Sequence, residues 1–465
     1  MQQIKNDTCC VILAAGMGKR MHSAHSKVLC EVAFKPMIRW VVDAARAAGI
    51  SGVCAVVGDD DVKAILPDCK IEYQTERLGT GHAVLCARGF LENCEEEHVL
   101  VLCGDAPFID RETILGALSL HKDSGAAVTA ISARLAEPAH YGRIVRESGD
   151  FSAIVEYADC TQQQLQINEI NSGAYWFKKS GLLFALDRIK NDNAQGEYYI
   201  TDAVAILAAD GQKAVCYEGK NETAVLGANN AADLLELNEA AKKAIISRHL
   251  ENGVSFVSTD GIVISPDAVI EAGAQILPGT LIKGKSFVGK GAVIGPNSIL
   301  ENTEIGERTV FNASQGYESR VGADARIGPY VHLRPDSIIE DSVKIGDFVE
   351  VKNSRVGEGT SLAHLTYIGD SDIGRFCNFG CGVVVVNYDG VSKFRTIVGD
   401  YAFIGCNTNL IAPVKIGNGA YTGAATTVTQ DVPDGALAVG RARQTNIEGW
   451  AAKKLQKYIE KKQKH

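Results

Sequence analysis

At 465 residues the chain is too long for a single ordinary hydrophobic core and predicts two or three domains. Apolar residues at 46% and charged residues at 22% describe a globular protein, and no run approaches the roughly 18 consecutive apolar residues of a membrane helix. Asp and Glu (56) outnumber Lys and Arg (47), and the net charge of −9 excludes an extended nucleic-acid surface while leaving room for local phosphate pockets.

Met1 to Thr8 is polar and leads directly into an apolar run, which predicts no signal peptide and a cytoplasmic location. From about 9 to 229, apolar runs (Cys9–Ala14, Val53–Val57, Val99–Cys103, Ala127–Ile131) alternate with helical stretches. That alternation predicts a mostly parallel sheet covered by helices. The thirteen cysteines are scattered without a C-x-x-C pair, so they read as reduced thiols and not as a disulfide framework. Cys377 and Cys381 stand close in sequence but lack the second ligand pair that structural zinc requires.

The first strand runs straight into Leu13-Ala14-Ala15-Gly16-Met17-Gly18-Lys19-Arg20-Met21. Small residues and glycines let backbone N–H groups approach a phosphate chain, and a helix placed directly after them would add its positive end. The spacing is not that of a Walker loop. Followed by Ser26-Lys27-Val28-Leu29, the L-A-A-G-x-G-x-R-M pattern resembles the signature of sugar-nucleotide pyrophosphorylases. Gln74, Leu78-Gly79-Thr80-Gly81-His82 and Cys103-Gly104-Asp105 come next. Asp105 ends an apolar run, where open α/β sheets place ligand-contacting groups, and a carboxylate there suits Mg²⁺.

A helical segment from about Ala231 to Leu250 reads as a connecting arm, stopped by Glu-Asn-Gly. Beyond it the texture changes to a repeat. Ile264, Ile270, Ile276, Ile282, Val288, Ile294 and Leu300 fall six apart. Val321 to Val351 and Val398 to Val428 do the same, with glycine commonly next. A period of six fits a β-solenoid in which each hexad is one short strand and a turn. The ladder breaks between about Gly382 and Val398, so VVVVNYDGVSKFRT must loop off the body, where loops often carry function. The basic tail from Gly449 reads either as a solvated terminal helix or as a contact for a CoA phosphate or a neighbouring subunit.

Further motifs follow in order: Tyr141-Gly142-Arg143, Val155-Glu156, Glu169-Ile170-Asn171-Ser172-Gly173, Gly196 to Asp202 and Gly227-Ala228-Asn229-Asn230. The solenoid adds Leu333-Arg334-Pro335, Glu350-Val351-Lys352, Ala363-His364-Leu365-Thr366-Tyr367, Asn378 to Gly382, Asn387-Tyr388-Asp389-Gly390 and Gly405-Cys406. Together, over about Cys9 to Trp450, they resemble the bifunctional N-acetylglucosamine-1-phosphate uridyltransferase/glucosamine-1-phosphate acetyltransferase family. The resemblance implies an α/β protein in three parts. A Rossmann-like nucleotidyltransferase domain (1–230) precedes a linker helix (231–251). A left-handed parallel β-helix of hexapeptide repeats with a C-terminal tail (252–465) follows, usually as a homotrimer.

The resemblance also implies the roles. Leu13, Ala14, Ala15 and Gly16 would bind UTP, Gln74, Gly79 and Thr80 would hold its uracil end, and Arg20 and Lys27 would face the triphosphate as catalytic cations. Gly142, Glu156 and Asn171 would hold the sugar of N-acetylglucosamine-1-phosphate, and Asp105 with Asn229 would bind Mg²⁺. In the repeat domain Arg334, Lys352, Tyr367 and Asn378 would hold glucosamine-1-phosphate. His364 would be the base, oriented by Glu350, since its reference pKa of about 6.5 suits an amine losing a proton. Asn387 and Tyr388 would meet the acetyl group, with Cys381, Cys406, Ala424 and Arg441 facing acetyl-CoA. Cys103, Cys381 and Cys406 replace residues usual in that family, as do Lys19 and the pair His25-Ser26. Two other readings remain: a nucleotidyltransferase with a structural or regulatory β-helix, as in ADP-glucose pyrophosphorylases, and a non-catalytic platform like the translation-factor exchange subunits.

Overall fold

The computed structural model describes residues 7–18, 26–138, 140–147, 149–193, 195–220 and 222–463. It has two compact units, Met1–Ser247 with Ile264–Pro266, and Arg248–Val263 with Asp267–His465. Among the described residues no helix is long and apolar enough to cross a membrane.

The first unit is built on one sheet, in the order Ala214–Glu218, Val128–Arg134, Glu169–Lys178, His98–Cys103, Thr8–Ala14, Gly52–Val57 and Lys70–Tyr73. Every neighbouring pair is parallel except those made by Glu169–Lys178, which runs against both of its neighbours. Alternation along the first strand explains why both faces are covered. Cys10, Ile12 and Ala14 enter one apolar cluster, and Cys9 and Val11 enter the other. The antiparallel strand carries an irregularity between Asn171 and Tyr175. Its cause is local: Gly173 has φ +75°, and a Cβ there would lie 2.8 Å from the Cys103 Sγ.

In the second unit short parallel strands stack into three sheets, each strand pairing with the one a full turn later, as in Ile276↔Ile294 and Val398↔Ile416. The inward residues are buried throughout. This is the arrangement of the left-handed parallel β-helix that the resemblance implies. The solenoid is more continuous than the six-residue spacing predicts. Between Leu300 and Val321 the inward positions are Ile305, Phe311 and Gly316, reached by steps of five and six. Val356, Leu362, Ile368, Ile373, Phe379 and Val385 carry the wall onward past Val351. The one long excursion falls between the strands Val384–Val386 and Thr396–Val398.

That excursion is a small hairpin. Tyr388 and Lys393 form an antiparallel bridge, and the Asp389 carboxylate accepts from the N–H groups of Val391 and Ser392. Both feet are fastened to the solenoid: Asn387 Nδ2 donates to Asp370, and the Arg395 guanidinium grips both Asp372 oxygens at 2.6 Å.

Candidate active sites

In the first unit a cavity of about 390 Å³ opens at the carboxyl end of the strand Thr8–Ala14. Leu13, Ala15, Gly16, Lys27, Gln74, Gly79, Thr80 and Asp105 line it together. Ala14 does not; its side chain belongs to the core beneath. Arg20 lies outside the described residues. The first helix described after the glycine-containing loop is Met37–Ala47, beyond a single 3-10 turn at Lys27–Leu29, so the helix expected directly behind the loop is not among the described residues. Met17 bridges to Ser26, whose Oγ donates to the Gly16 carbonyl, and this brings Lys27 over the cavity.

Lys27 is the centre of the cation site. Its Nζ stands 2.5 Å from Asp105 Oδ2 and 3.0 Å from Asn229 Oδ1. One ammonium therefore touches both oxygens, and the pair is close enough for a single cation to be shared. A carboxylate and an amide carbonyl are hard oxygen donors, the set that Mg²⁺ accepts while taking its remaining ligands from water and phosphate. The donors present fit that ion. Asn229 is held in place by the next helix, Ala231–Glu251: its N–H donates to Asp233 at 2.7 Å, while Asn238 of the same helix accepts from Ala33 N–H.

The Leu78–His82 loop is clamped to the Gly196–Asp202 segment. Gly81 N–H donates to the Tyr198 carbonyl at 2.7 Å, and Ile200 N–H donates to Thr80 Oγ1 at 3.1 Å. Gly79 has φ +108°, and a Cβ there would fall 2.6 Å from the Tyr198 carbonyl oxygen, so only glycine fits. Gln74 is buried, with Nε2 shared between the Gly79 carbonyl and His82 Nδ1. Among the described residues its carbonyl oxygen has no donor.

Gly142, Glu156 and Asn171 form a second cluster. Asn171 N–H donates to the Gly142 carbonyl at 2.9 Å, and a Cβ on Gly142 would meet Glu156 Oε2 at 3.3 Å. Burial pushes the Glu156 carboxyl above the usual range, although Thr201 Oγ1 donates to it. The cluster borders the cavity through Cys103, whose Sγ reaches the Gly173 carbonyl at 3.4 Å. Two charged lining residues, Arg77 and Glu197, carry no role in the sequence reading. Each stands in or beside a motif already singled out, so proximity to the motif was the available signal.

In the second unit, Arg334 and Lys352 occupy equivalent places on successive coils, and Tyr367 stands one coil further on beside Glu350. Arg334 Nη1 donates to Glu350 Oε1 at 2.9 Å. Glu350 is thereby engaged with Arg334 through Oε1, and among the described residues no hydrogen bond joins it to His364, so the orienting role stays an expectation. The hairpin adds a cation that the motifs missed, Lys393. Its ammonium beside Lys352, more than burial, holds the Lys352 pKa below its ordinary value. Arg334, Lys352 and Lys393 thus gather positive charge that an anion would relieve, with Asp370 the acid 3.7 Å from Lys352 Nζ. Asn387 Nδ2 is committed to Asp370, and the exposed Tyr388 donates its hydroxyl to the Gly390 carbonyl at 2.6 Å.

His364 ends the strand Ser361–His364, at an edge where two faces of the solenoid meet. Gly382 N–H donates to the His364 carbonyl, Asn407 N–H to that of Cys381 and Ala425 N–H to that of Cys406. His364, Cys381, Cys406 and Ala424 are therefore a column, one residue per coil, at a spacing of about 4.8 Å. Arg441 closes it, donating from Nη1 to the Ala424 carbonyl at 3.0 Å. Asn378 lies apart from the cations, exposed on the strand paired with Ser361–His364, across the edge from Tyr367.

Residues 10–158 match the MobA-like NTP transferase domain, and residues 318–353 match the bacterial transferase hexapeptide family of six repeats. The Bifunctional protein GlmU of Clostridium novyi (strain NT) is 44% identical over 449 residues, covering 96% of this chain and 98% of that protein. The protein of the same name from Caldanaerobacter subterraneus subsp. tengcongensis is 46% identical over 451 residues, with 96% and 98% covered. That from Clostridium tetani is 43% identical over 454 residues, with 97% and 99% covered. With both domain families in one chain and relatives matched nearly end to end, the chain belongs to the GlmU family of bifunctional enzymes, which join uridyltransferase and acetyltransferase activities in one polypeptide.

Proposed function

We propose that the second unit acetylates glucosamine-1-phosphate from acetyl-CoA, and that the first then transfers uridylyl from UTP to the N-acetylglucosamine-1-phosphate formed, releasing pyrophosphate. The observations that carry this reading are the column of His364, Cys381, Cys406 and Ala424 and, on another face of the solenoid, a cluster of three cations. A solenoid serving only as a scaffold has no use for either.

Acetyl transfer requires an amine to lose its proton while it attacks the thioester carbonyl. His364 takes that proton, and the CoA thiolate leaves. Arg334, Lys352 and Lys393 hold the sugar phosphate, with Tyr367 and Asn378 at the sugar. The pantetheine arm lies along the column, so that its thioester reaches His364, while Asn387 and Tyr388 flank the acetyl group. Tyr367 and Asn378 lie on different faces of one chain, which favours a site completed by a second copy. Two stacked aromatic pairs, Tyr330–Phe348 at 5.3 Å and Phe376–Tyr401 at 5.5 Å, stand exposed at corners with positive φ and supply an apolar surface for such contact. We take the assembly to be a homotrimer working in the cytoplasm, and a sedimentation mass of one chain would refute it.

In uridylyl transfer two anions must meet, so the protein's task is neutralisation and in-line positioning. Gln74 offers its free carbonyl oxygen to the imide N–H of uracil, and Gly79 with Thr80 closes that end. Gly142, Glu156 and Asn171 hold the sugar. Asp105 and Asn229 would hold Mg²⁺, which supplies charge to the phosphates when bound. Lys27 faces the triphosphate.

The decisive experiment feeds glucosamine-1-phosphate, acetyl-CoA, UTP and Mg²⁺ to the full chain, then measures free CoA and pyrophosphate separately. Both should appear. Pyrophosphate formed only from added N-acetylglucosamine-1-phosphate, without free CoA, would leave the β-helix a scaffold.

The thiols allow a second test. Cys406 is exposed and Cys381 half-buried, and both lie on the proposed acetyl-CoA track. Cys103 borders the other cavity, but burial and then Asp105 push its thiol up to about 12, so little reactive thiolate forms there. N-ethylmaleimide is expected to abolish CoA release, to spare pyrophosphate release, and to be blocked by acetyl-CoA. Equal loss of both activities, or no protection, counts against the column.

A further inference from the structure

A cation with no acid partner among the described residues stands in the nucleotide cavity. Arg77 donates from Nε to the Ala15 carbonyl at 2.7 Å. Its Nη2 lies over Gly58, where a Cβ would come within 2.8 Å of it. Ala15 follows the strand Thr8–Ala14 and Gly58 follows Gly52–Val57, two parallel neighbours, so the guanidinium spans the carboxyl ends of both. Open α/β sheets bind their ligands in that position. Among the described residues Arg77 has no carboxylate partner, whereas Lys27, which lines the same cavity, is paired with Asp105. An arginine tied by Nε to a backbone carbonyl keeps its outer N–H groups in a fixed plane, a geometry suited to anionic or carbonyl oxygens.

We propose that Arg77 is a nucleotide-holding residue: it fixes Ala15 through Nε and gives its outer N–H groups to acceptor oxygens of UTP, leaving the sugar phosphate to others. Placement supports that division. Arg77 sits between Gln74 and Gly79 in sequence and over Ala15 in space, while the Gly142–Glu156–Asn171 cluster reaches the cavity from Cys103. The inference rests on the uridylyl-transfer reading given above.

The test uses the full chain with Arg77→Gln and Arg77→Lys. KM is measured with UTP and N-acetylglucosamine-1-phosphate varied in turn, and equilibrium binding with UTP, UDP and UMP alone. A charged hydrogen bond lost from a nucleotide predicts a rise of about tenfold in the UTP KM and Kd of Arg77→Gln, with the sugar-phosphate KM changed less than about twofold. Arg77→Lys, which keeps the charge, should recover part of the loss. A deficit growing from UMP to UTP assigns the contact to the phosphates; an equal deficit for all three assigns it to uridine, and either supports the proposal. Circular dichroism and the melting temperature report that the variants are folded, since acetyl transfer belongs to the other unit. Unchanged UTP binding in folded Arg77→Gln, or equal rises in both KM values with a lowered melting temperature, overturns it and leaves Arg77 a brace for Ala15. Wild-type protein that released no pyrophosphate would instead refute the uridylyl-transfer reading itself.

Discussion

Replacing Lys27 with alanine is expected to lower kcat for pyrophosphate release by a factor of about a thousand while leaving CoA release unchanged. The first effect follows from neutralisation: two anionic substrates meet in a cavity where Lys27 is a fixed positive charge. Its position carries a second, opposite consequence. The ammonium holds the two oxygens proposed for the metal, Asp105 Oδ2 and Asn229 Oδ1. With it gone, a divalent cation meets no competitor for them. Lys27→Ala should therefore bind Mn²⁺, in the absence of nucleotide, more tightly than the wild type, even as turnover collapses. Near-normal uridylyl transfer would remove Lys27 from the mechanism. Weaker Mn²⁺ binding would break the pairing of Asp105 with Asn229 as a metal site.

The second large effect is expected at His364. His364→Ala should cut CoA release by between about a hundredfold and ten-thousandfold, the usual worth of a positioned general base, with pyrophosphate release from N-acetylglucosamine-1-phosphate intact. Glu350 is bound to Arg334, so Glu350→Gln should act mainly through the affinity for glucosamine-1-phosphate and leave the pH dependence of kcat in place. A shift of that pH profile in Glu350→Gln would restore Glu350 as the residue that orients the imidazole. Acetyl transfer that survives in His364→Ala would require another base.

Much of this architecture is legible in the residues. The run Cys9–Ala14 with its alternating sides, and the aliphatic positions six apart, each follow from one periodicity repeated many times. Where the periodicity lapses, the sequence falls silent. Steps of five at Ile305, Gly316 and Val356 hid whole coils, because a corner shortened by one residue shifts every later position while the backbone pairing absorbs the change. Asp105, Asn229 and Lys27 were found separately by motif, but nothing in their spacing reveals that one ammonium joins them. Lys393 and Arg77 escaped for a different reason. A lone cation in a loop has no pattern, and it gains meaning only from what the fold sets beside it: Lys352 in one case, the Ala15 carbonyl in the other. Glu350 shows a related limit: its motif suggested His364, while the partner that the coil register sets beside it, Arg334, is not visible in the motif.

The hairpin between Val386 and Thr396 leaves the solenoid and rejoins it without disturbing the wall, for Ile373 still pairs with Val398 in step. Its anchors, Asn387 to Asp370 and Arg395 to Asp372, are side chains of adjoining coils. The segment behaves as a cassette: its length and tip can drift or be exchanged while the barrel of strands behind it keeps its geometry. New side chains can therefore be tried at its tip at almost no cost to the scaffold.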